Sequence, residues 1–374
     1  MIRSEVIVIG GGPAGAATAL ALARNGSAVL VLERSQYEHW RVGETLPPFA
    51  RVLLDQLGVW DRFLAGDPTP SHAIYSAWGS DDLLAHDFIF NPHGSGWHIN
   101  RKSFDAMLAR AAEDVGATVL RGAKIISLSR RIDCWRIVFR REGKTLEAET
   151  PFLVDATGRA GWLARSQGSN WLSYDQLIGL TGILTPVSLM PTVASVLLLE
   201  VGEHGWWYSA PLPDGSFVVS YMTDADYLTA SRLAPTIFWR ENLERTTHTR
   251  ARVQEFRLAG AVRVRKASTG RLDRVAGPGW VAIGDAASVY DPLSGTGLSK
   301  AIQSGLTVAQ SLSGHAALNC TVLDDYAAGF VKEFANYLEQ WAKYYSMEKR
   351  WPDSLFWHRR QAYALEVNGW TYTS

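Results

Sequence analysis

The start of the chain combines two kinds of apolar pattern. Residues 5–9 (Glu-Val-Ile-Val-Ile) and 28–32 (Ala-Val-Leu-Val-Leu) are short and almost wholly apolar, which is typical of strands buried on both faces. Between them, residues 16–24 form an Ala/Leu-rich run with helical character. The glycine-rich segment 10–15 precedes this run and Gly26 ends it. The pattern predicts a strand, a glycine turn, a helix and a second strand in immediate succession.

The same strongly apolar pattern returns later in the chain. Residues 152–155 and 280–285 read as further parallel strands of the first fold, and residues 156–159 read as a second turn into a helix. Between about 171 and 270, short apolar runs alternate with turns, which favours an antiparallel sheet. Other predicted strands cover 73–78, 83–90, 118–120, 124–129, 134–139, 177–184, 195–201, 206–210 and 216–222, with the runs from 118 to 139 forming a small meander. Predicted helices cover 49–57, 103–114, 235–245, 296–313 and 323–348.

These elements predict an α/β protein whose second domain is of the α+β class. The glycine turn belongs to a Rossmann-like nucleotide domain, and the antiparallel sheet is a substrate or catalytic domain inserted between its pieces. Helices end the chain. The predicted boundaries are 1–72, 97–170 and 271–320 for the nucleotide domain, 73–96 and 171–270 for the substrate domain, and 321–374 for the C-terminal helical segment.

The glycine turn fits the dinucleotide-binding fingerprint. Gly10 permits the tight turn, Gly12 lets the backbone approach a pyrophosphate, and Gly15 lets the helix pack against the strand. Phosphates would sit at the positive N-terminus of the helix, and Glu33 stands where an acid accepts hydrogen bonds from a ribose hydroxyl. An ordinary tight turn of a βαβ unit is the alternative. The candidate cofactor residues of this segment are Gly10, Gly12, Pro13, Ala14, Gly15, Glu33, Arg34 and Arg41.

Composition and charge exclude several classes of function. The 374 residues, 47% of them apolar, are enough for one large or two medium domains. With 37 basic and 37 acidic residues, we expect no nucleic-acid partner. Cys134 and Cys320 form no C-x-x-C motif, so we expect neither a dithiol relay nor a metal site. No run suits a signal peptide or a membrane span, so we expect a cytoplasmic protein.

Three motifs together resemble the FAD-dependent monooxygenases of the para-hydroxybenzoate hydroxylase fold. The motifs are the glycine turn with Glu33, Arg101 before Phe104-Asp105-x-x-Leu108, and Gly284-Asp285-Ala286-Ala287. That superfamily includes flavin-dependent halogenases and geranylgeranyl reductases. The resemblance implies FAD as the cofactor, with Asp285 holding its ribityl chain and pyrophosphate and with Arg101 close to it.

The segment from Asp291 to Leu298 resembles the flavin-ring segment of the same superfamily. Backbone N–H groups from Gly295 to Gly297, at the start of a helix, are expected to be free and to face the N1/O2 edge of the flavin. A positive dipole there stabilises the anion of the reduced ring. A glycine-rich helix cap without a ligand is the alternative. The candidate cofactor residues of this part of the chain are Arg101, Gly284, Asp285, Gly295, Thr296, Gly297 and Leu298.

Two pairs of residues are similar to the halogenase-type branch. Thr157-Gly158 stands where hydroxylases that take NADPH directly usually carry Asp-Gly. This departure counts against direct use of NADPH. The expected reductant is NAD(P)H, either directly or through a partner flavin reductase. Gly43-Glu44 also looks like the halogenase branch, whose members take reduced flavin or electrons from a partner reductase.

The chain lacks the lysine on which halogenation depends in that branch. Residues 205–211 resemble the halogenases' Trp-x-Trp-x-Ile-Pro motif but depart from it at Tyr208 and Ala210. No lysine occurs between Thr45 and Arg101, where halogenases carry the lysine that handles hypohalous acid. Without this lysine, the chain resembles the halogenase-like flavoproteins that modify a tryptophan of a partner protein during quinone-cofactor biogenesis.

The resemblance implies hydroxylation of an electron-rich aromatic, including a protein tryptophan, through a flavin C4a-hydroperoxide. A His or carboxylate near the substrate would give acid–base help, and the candidate catalytic residues are His98, Glu44 and Asp291. The alternatives are a core histidine for His98, an ion pair with Arg41 or a helix cap for Glu44, and a cap of the helix near residue 296 for Asp291. The candidate substrate-pocket residues are Trp206, Tyr208 and Pro292.

Aromatic residues at two places have two interpretations each. On a strand, Trp206 and Tyr208 share one face and Trp207 takes the other, so they line a cavity or fill a core. Residues 350–360 mix aromatic and basic side chains, as in a packed tail or a partner surface, and we favour the tail. The 15 Trp of the chain suit either cores or recognition of a flat substrate or partner protein.

Other functions stay open at this point. They are a flavin-dependent halogenase, a reductase that moves hydride to or from an apolar substrate, as geranylgeranyl reductases do, and a non-catalytic flavin-bound maturation partner. The expected partners are an aromatic small molecule or a partner peptide or protein, together with a flavin reductase.

Overall fold

The computed structural model describes residues 1–187, 193–313 and 323–370, with side chains through residue 362. The strands begin with β1 Ile2–Arg3, β2 Val6–Ile9, β3 Val29–Glu33, β4 Thr45–Leu46, β5 Thr69–Ser71, β6 Ala73–Ala77, β7 Leu84–Asp87, β8 Gly96–His98, β9 Thr118–Arg121, β10 Lys124–Arg130, β11 Trp135–Arg141 and β12 Lys144–Thr150. They continue with β13 Phe152–Asp155, β14 Trp171–Ser173, β15 Leu177–Pro186, β16 Leu197–Gly202, β17 Gly205–Pro211, β18 Phe217–Asp224, β19 Phe256–Leu258, β20 Arg263–Lys266, β21 Gly270–Leu272, β22 Ala276–Gly277, β23 Trp280–Ala282 and β24 Ser288–Val289. The helices are α1 Pro13–Arg24, α2 Ala50–Gln56, α3 Trp60–Leu64, α4 Arg101–Asp114, α5 Trp162–Ser166, α6 Ala225–Ser231, α7 Pro235–Leu243, α8 His248–Arg252, α9 Gly297–Leu312, α10 Asp324–Ser346 and α11 Leu355–Trp370.

A six-stranded sheet, in the order β22-β23-β13-β2-β3-β9, carries the glycine turn at the end of its inner strand β2. Its strands pair in parallel except for the edge strand β22. All residues of β2, β3 and β13 are buried, as the uninterrupted apolar runs predicted. The parallel strands predicted at 152–155 and 280–285 are confirmed.

The predicted meander is wrong in its first strand. Residues 118–120 lie in β9, which pairs in parallel with β3 at the edge of the six-stranded sheet. The reason is the crossover helix α4, because a strand that follows such a helix returns parallel to the strand before it. Strands β10 and β11 do pair antiparallel, together with β12, whose polar and half-exposed residues hid it from the pattern.

The second large sheet has eight strands and is antiparallel at its centre. Its order is β19-β15-β18-β17-β16-β6-β7, with β20 beside β15. It joins β6 and β7 to the strands between 177 and 266, so the predicted second sheet is confirmed. Trp206 and Tyr208 pack on one face and Trp207 on the other, as predicted. Each of the two large sheets is built from segments that are far apart in the chain, as the predicted discontinuous domains require. We retain the predicted boundaries of the three domains as a proposal.

Long helices close the molecule beside the parallel sheet. Helix α9 packs tightly along α1, because a β-carbon at Gly305 would lie 2.6 Å from the Ala14 carbonyl oxygen. Helices α9 and α10 confirm the predicted helices near 296–313 and 323–348. Helix α11 was not predicted, but Phe356 and Trp357 on it are fully buried, which confirms a packed tail. Within the described ranges, no helix is both long and apolar enough to cross a membrane.

Candidate active site

The glycine turn presents an open helix N-terminus. Gly10 has a φ of 103°, a left-handed conformation that favours glycine, and a β-carbon at Gly10 would overlap the Ala156 carbonyl oxygen. Gly12 is the N-cap of α1, and no described side chain caps this end. A β-carbon at Gly12 would meet no protein atom within 4 Å. The first turn of α1, which begins with Pro13 and Ala14, therefore has room for a group that accepts hydrogen bonds from its backbone.

Glu33 lies beside this turn, where the fingerprint places it. One carboxylate oxygen of Glu33 accepts a hydrogen bond from the Gly11 N–H at 2.7 Å. The other accepts from the backbone N–H of Ser35 at 2.8 Å and from its hydroxyl at 2.5 Å. Arg34, by contrast, is exposed. Glu33 is thus fixed at the end of β3, with its charge close to the turn.

A carboxylate missed by the sequence analysis links two predicted arginines. Asp105 is buried and accepts two hydrogen bonds of 3.0 Å from Arg101, one from Nε and one from Nη2. It also lies 3.7 Å from Arg41, whose other nitrogen is 3.7 Å from Glu33. The spacing of four residues between Arg101 and Asp105 on one helix was the signal that could have found this pair. The result is a continuous line of alternating charges from Glu33 to Arg101.

Arg101 joins segments that are far apart in sequence. Its guanidinium donates to the Val42 carbonyl, and a β-carbon at Gly43 would lie 2.8 Å from Arg101 Nη1 and 3.9 Å from Leu298. Burial alone would lower the pKa of Arg101, but Asp105 and, more weakly, other carboxylates including Asp285 raise it above its ordinary value. The structure therefore brings together the predicted residues at 43, 101, 285 and 298.

Asp285 lies between two cations, neither of which the sequence analysis named as a site residue. Lys300 is buried, with its Nζ 3.6 Å from Asp285, and it donates to the Ser288 carbonyl. Arg159 lies 3.9 Å from the other oxygen of Asp285. Burial lowers the pKa of Lys300, and Asp285 opposes that shift. A lysine on a helix is usually exposed, so the burial of Lys300 could not be expected from the sequence. The signal that could have found it was its position on the first turn of α9.

The expected free N–H groups of the Gly295 segment need one correction. The N–H of Gly295 donates to the Pro292 carbonyl at 3.0 Å and that of Thr296 to the Ser294 hydroxyl at 3.4 Å, so neither is free. The reason is a 3-10 turn at Pro292–Ser294, which Gly295 closes in the left-handed conformation. Helix α9 starts only at Gly297, and none of the described side chains caps it. The N–H groups at the start of α9 therefore remain the candidates for a flavin edge.

Asp291 anchors the Pro292–Ser294 turn to helix α10. One carboxylate oxygen accepts from the Leu293 N–H at 2.9 Å, while the other accepts from the Tyr345 hydroxyl at 2.8 Å and the Trp341 indole N–H at 3.0 Å. Burial, helped by the charge of Asp175, raises the pKa of Asp291 to about 6. Asp291 thus caps the 3-10 turn before the helix, and these donors occupy both oxygens of its carboxylate.

Glu44 is a buried carboxylate with one oxygen left unpaired. Its Oε2 accepts from the Tyr208 hydroxyl at 2.6 Å and from the Gly43 N–H at 2.9 Å. Its Oε1 has no hydrogen-bond partner among the described residues. Burial raises the pKa of Glu44, and the bond from Tyr208 opposes that shift. The ion pair with Arg41, one of the alternatives for Glu44, does not form, because Arg41 faces Glu33 and Asp105 instead.

His98 is the second buried group with an unpaired polar atom. It pairs with Thr45 across β4 and β8, and its Nδ1 lies 3.3 Å from the Thr45 hydroxyl. Its Nε2 has no partner in the described part of the chain. Burial, with a smaller contribution from Arg252, lowers the pKa of His98 to about 3. His98 is therefore a neutral imidazole at physiological pH, and it is not bonded to the backbone as the core alternative assumed.

Trp206 lies in an aromatic cluster and not on an open wall. It is fully buried, packs against Trp78, and donates its indole N–H to the Tyr345 hydroxyl at 2.9 Å. Tyr208, on the same strand face, reaches Glu44. A cavity of about 340 Å³ opens elsewhere, beside Asp175, Asp224, Trp341 and Arg360, and none of the predicted pocket residues lines it. The pocket roles of Trp206, Tyr208 and Pro292 remain predictions.

A family model described as the FAD binding domain matches residues 3–328. The chain belongs to the FAD binding domain family. The matched range contains the glycine turn, Glu33, Arg101, Asp285 and the start of α9. Asp291, Glu44 and His98 lie within it as well.

Relatives of this family member include oxidoreductases and halogenases. LodB of Marinomonas mediterranea, named as an FAD-dependent oxidoreductase, is 29% identical over 368 aligned positions, covering 96% of this chain and 97% of that protein. A protein named tryptophan 2-halogenase from Chondromyces crocatus is 25% identical and covers 96% of this chain and 70% of its own length. A menaquinone reductase of Mycolicibacterium smegmatis is 27% identical, with coverages of 88% and 82%.

Solved structures agree with this placement at the level of the fold. The flavin-dependent halogenase CmlS superposes with a TM-score of 0.85 at 24% identity, over 100% of this chain and 71% of that one. The halogenase PltM, solved with phloroglucinol and FAD, superposes with a TM-score of 0.79 at 19% identity, over 99% and 84%. The chain therefore has the α/β fold of flavin-dependent halogenases.

The residues fit the cofactor of the FAD binding domain family. The open N-terminus of α1 suits a pyrophosphate, Glu33 suits a ribose, and the uncapped start of α9 suits the electron-rich edge of a flavin. Arg41 and Arg101 lie between these points and balance the buried carboxylates. The protein is an FAD-dependent oxidoreductase with a halogenase-like fold.

Proposed function

We propose that this oxidoreductase is an oxygenase that hydroxylates a tryptophan side chain of a partner polypeptide. The observation that carries the proposal is the pair of the buried Glu44 and the half-buried Tyr208, which spans from the Gly43–Arg101–Leu298 contact to the antiparallel sheet. A buried carboxylate with a raised pKa and one unpaired oxygen suits proton transfer. The pair meets the sheet on its aromatic face, which suits an indole.

The cofactor would be held by groups already described. The first turn of α1 would bind the pyrophosphate, Glu33 a ribose, and the region of Asp285 and Lys300 the chain between phosphate and ring. When bound and reduced, FAD supplies two electrons to O₂, so that one oxygen atom can be transferred to an aromatic ring and the other leaves as water. The start of α9 would face the flavin edge.

Glu44 would act as the base of the reaction. When an aromatic carbon gains oxygen, a new C–O bond forms and the same carbon must lose its hydrogen as a proton for the ring to recover aromaticity. The unpaired Oε1 of Glu44 would take that proton, while Tyr208 holds the carboxylate through Oε2. Since Tyr208 is a neutral phenol whose pKa burial raises well above its ordinary value, it donates to Glu44 and does not compete as a base.

His98 would serve as a neutral hydrogen-bonding group. Because burial lowers its pKa to about 3, it carries no charge at pH 7, and its unpaired Nε2 can accept or donate one hydrogen bond according to its tautomer. An indole N–H is a donor that would satisfy that atom. His98 would thus orient the substrate ring.

Halogenation is disfavoured by the absent lysine. No lysine lies between Thr45 and Arg101, and Trp78 in this interval is packed against Trp206 and Tyr345. A buried aromatic there offers no amine to bind an oxidised halide. The absence of a lysine is compatible with hydroxylation, because oxygen transfer to an indole needs no such amine.

A partner flavin reductase would supply the electrons. Thr157, where direct NADPH users carry an acid, is occupied locally: its hydroxyl donates to Asp155 at 2.6 Å and accepts from the Trp162 N–H at 2.9 Å. These bonds stabilise the turn after β13 and leave no acid at position 157 for a pyridine nucleotide. Stopped-flow reduction with NADPH alone would be slow, and addition of a flavin reductase would speed it.

The test uses the FAD-loaded protein, reduced anaerobically and then mixed with O₂ and a tryptophan-containing peptide. We expect a gain of one oxygen atom on the tryptophan, read by mass spectrometry. Glu44→Gln should lower this yield by about 10²- to 10⁴-fold with unchanged FAD content, because a proton acceptor is lost. The exposed Glu38→Gln is the matched control. Wild-type yields from Glu44→Gln, or chlorinated product when chloride is present, would reject this mechanism.

Quinone reduction is a second candidate, favoured by the likeness to a menaquinone reductase. In this case two electrons and two protons pass to a quinone and no oxygen is inserted. The same reduced protein, mixed anaerobically with a soluble naphthoquinone, separates the two functions. Rapid reoxidation by the quinone together with no oxygen insertion from O₂ would favour the reductase.

A further inference from the structure

The hairpin of β6 and β7 leaves one edge of the eight-stranded sheet open. Strand β7, Leu84–Asp87, ends the sheet and pairs on one side with β6. All four residues of β7 are exposed, and none of the described residues pairs with its outer side. An exposed edge strand offers a row of backbone donors and acceptors to another chain.

The backbone directions of β7 follow from one hydrogen bond. Phe88, just after the strand, donates its N–H to the His72 carbonyl at 2.9 Å, on the side of β6. Because alternate residues of a strand point their N–H groups to the same side, Leu84 and His86 also face β6. Ala85 and Asp87 therefore direct their N–H and C=O groups to the open edge.

Apolar side chains surround this edge. Leu84 is 63% exposed, and just beyond the strand Ile89 is 81% and Phe90 is 93% exposed. Large apolar side chains clustered in this way, next to unpaired backbone, are typical of an interaction surface. We call residues 83–90 the edge segment.

The turn between β6 and β7 is fixed, so the edge segment is held in place. The Gly79 N–H donates to Glu348 Oε2 at 2.9 Å, and the Asp81 carbonyl lies 2.8 Å from His248 Nε2. The carboxylate of Asp81 also pairs with Arg350. A partner strand would therefore meet a preformed template, which lowers the entropy cost of binding.

The charge of this hairpin selects one kind of partner. Asp82 and Asp87 are exposed acids, and no Lys or Arg occurs between Gly79 and Asn100. A second copy of the chain, paired edge to edge, would bring these acids together, which is unfavourable. A strand with basic residues would instead find complementary charge and apolar contacts.

We infer that β7 binds an extended segment of a partner polypeptide, with basic and apolar residues in alternation, as an added strand of the sheet. The inference rests on the proposed function in one respect, since that function requires a partner polypeptide. Backbone pairing would give affinity, and the apolar side chains around the edge would give specificity. The bound strand would extend the sheet whose inner strand β17 carries Tyr208.

The test measures binding of a short peptide of alternating lysine and valine to the FAD-loaded protein by fluorescence anisotropy. We expect saturable binding, protection of the Ala85 and Asp87 amides from hydrogen exchange, and no comparable binding of a glutamate–valine peptide. Ala85→Pro removes an outward N–H, which an edge strand tolerates, and should weaken binding about tenfold or more. Phe90→Ser, which removes an apolar contact without adding charge, should also weaken it, whereas Ile132→Ser, at a residue 93% exposed in the turn between β10 and β11, should not.

Specific results would overturn the inference. They are wild-type affinity of both Ala85→Pro and Phe90→Ser for the lysine–valine peptide, unprotected amides at 85 and 87, or a dimer in sedimentation that Ala85→Pro dissociates. Oxygen insertion into a free tryptophan dipeptide is measured in parallel. This reaction needs no docking strand. If the wild-type protein inserts no oxygen into the dipeptide, the proposed function is rejected and the docking result is unaffected.

Discussion

Replacing Gly12 by alanine separates binding of the cofactor from packing of the fold. Gly12 has φ −69° and ψ −175°, an extended conformation open to any residue, and its added methyl would meet no protein atom within 4 Å. The apo protein should therefore unfold with a free energy within about 0.5 kcal/mol of the wild type. The methyl would instead stand where a pyrophosphate approaches the helix. Overpacking of about 1–3 kcal/mol corresponds to FAD binding weakened roughly 5- to 150-fold.

Two further alanine variants frame this experiment. Gly15→Ala would drive its methyl into the Gly10 carbonyl oxygen and against Val8, so it should destabilise even the apo protein by at least about 1–3 kcal/mol. Gly329→Ala, exposed on α10 and free of neighbours within 4 Å, should leave FAD binding near wild type and raise stability by up to about 1 kcal/mol, since alanine favours the helix. Urea unfolding and fluorescence titration of FAD measure the two effects. Wild-type FAD affinity in Gly12→Ala would refute the assignment of the turn to the pyrophosphate.

Three other substitutions test the buried polar groups. Asp291→Asn removes a carboxylate whose folded pKa is raised to about 6, above its unfolded value, so wild-type stability relative to the variant should fall as pH rises from about 4 to 6. Tyr345→Phe leaves the Trp206 indole N–H without its acceptor and should cost about 1–3 kcal/mol in urea unfolding. Asp105→Asn leaves Arg101 buried without its carboxylate and should cost about 3–5 kcal/mol and weaken FAD binding.

Each of these variants has a control on the surface. Tyr344→Phe changes a half-exposed hydroxyl on the same helix as Tyr345 and should leave stability unchanged. Asp55→Asn breaks an exposed pair with Arg51, worth at most about 0.5 kcal/mol, and serves both aspartate variants. A stability of Asp291→Asn that runs parallel to the wild type across pH 4–6 would contradict the raised pKa.

The sequence allowed prediction of what depends on local pattern. The run from β2 to β3 combines strand, turn and helix signals within one short stretch, so the glycine turn and Glu33 were found at their places. Alternation along β17 predicted the opposite faces of Trp206 and Trp207, because the period of a strand fixes side-chain direction. The helix at α9 was likewise readable from its periodicity.

Contacts between distant segments could not be predicted in this way. The pairing of Asp105 with Arg41 depends on where α4 meets the loop before β4, and no local pattern encodes that meeting. The bond from Gly295 to Pro292 was missed because the glycine signal alone does not separate a free N–H from one that closes a turn. Strand β9 was misplaced because strand propensity does not name a partner.

The order of strands in the parallel sheet has a consequence for synthesis of the protein. Strand β13 lies between β2 and β23, so the sheet joins residues near 6, 152 and 280, and α9 packs on α1 from beyond residue 297. Such distant pairings form slowly, since long loops must close first. The nascent chain therefore leaves the ribosome with its glycine turn made early and helix α9 made late. A cofactor that needs both can stabilise the fold only after most of the chain is synthesised, and until then the apolar strands of this sheet lack their partners and are prone to aggregate.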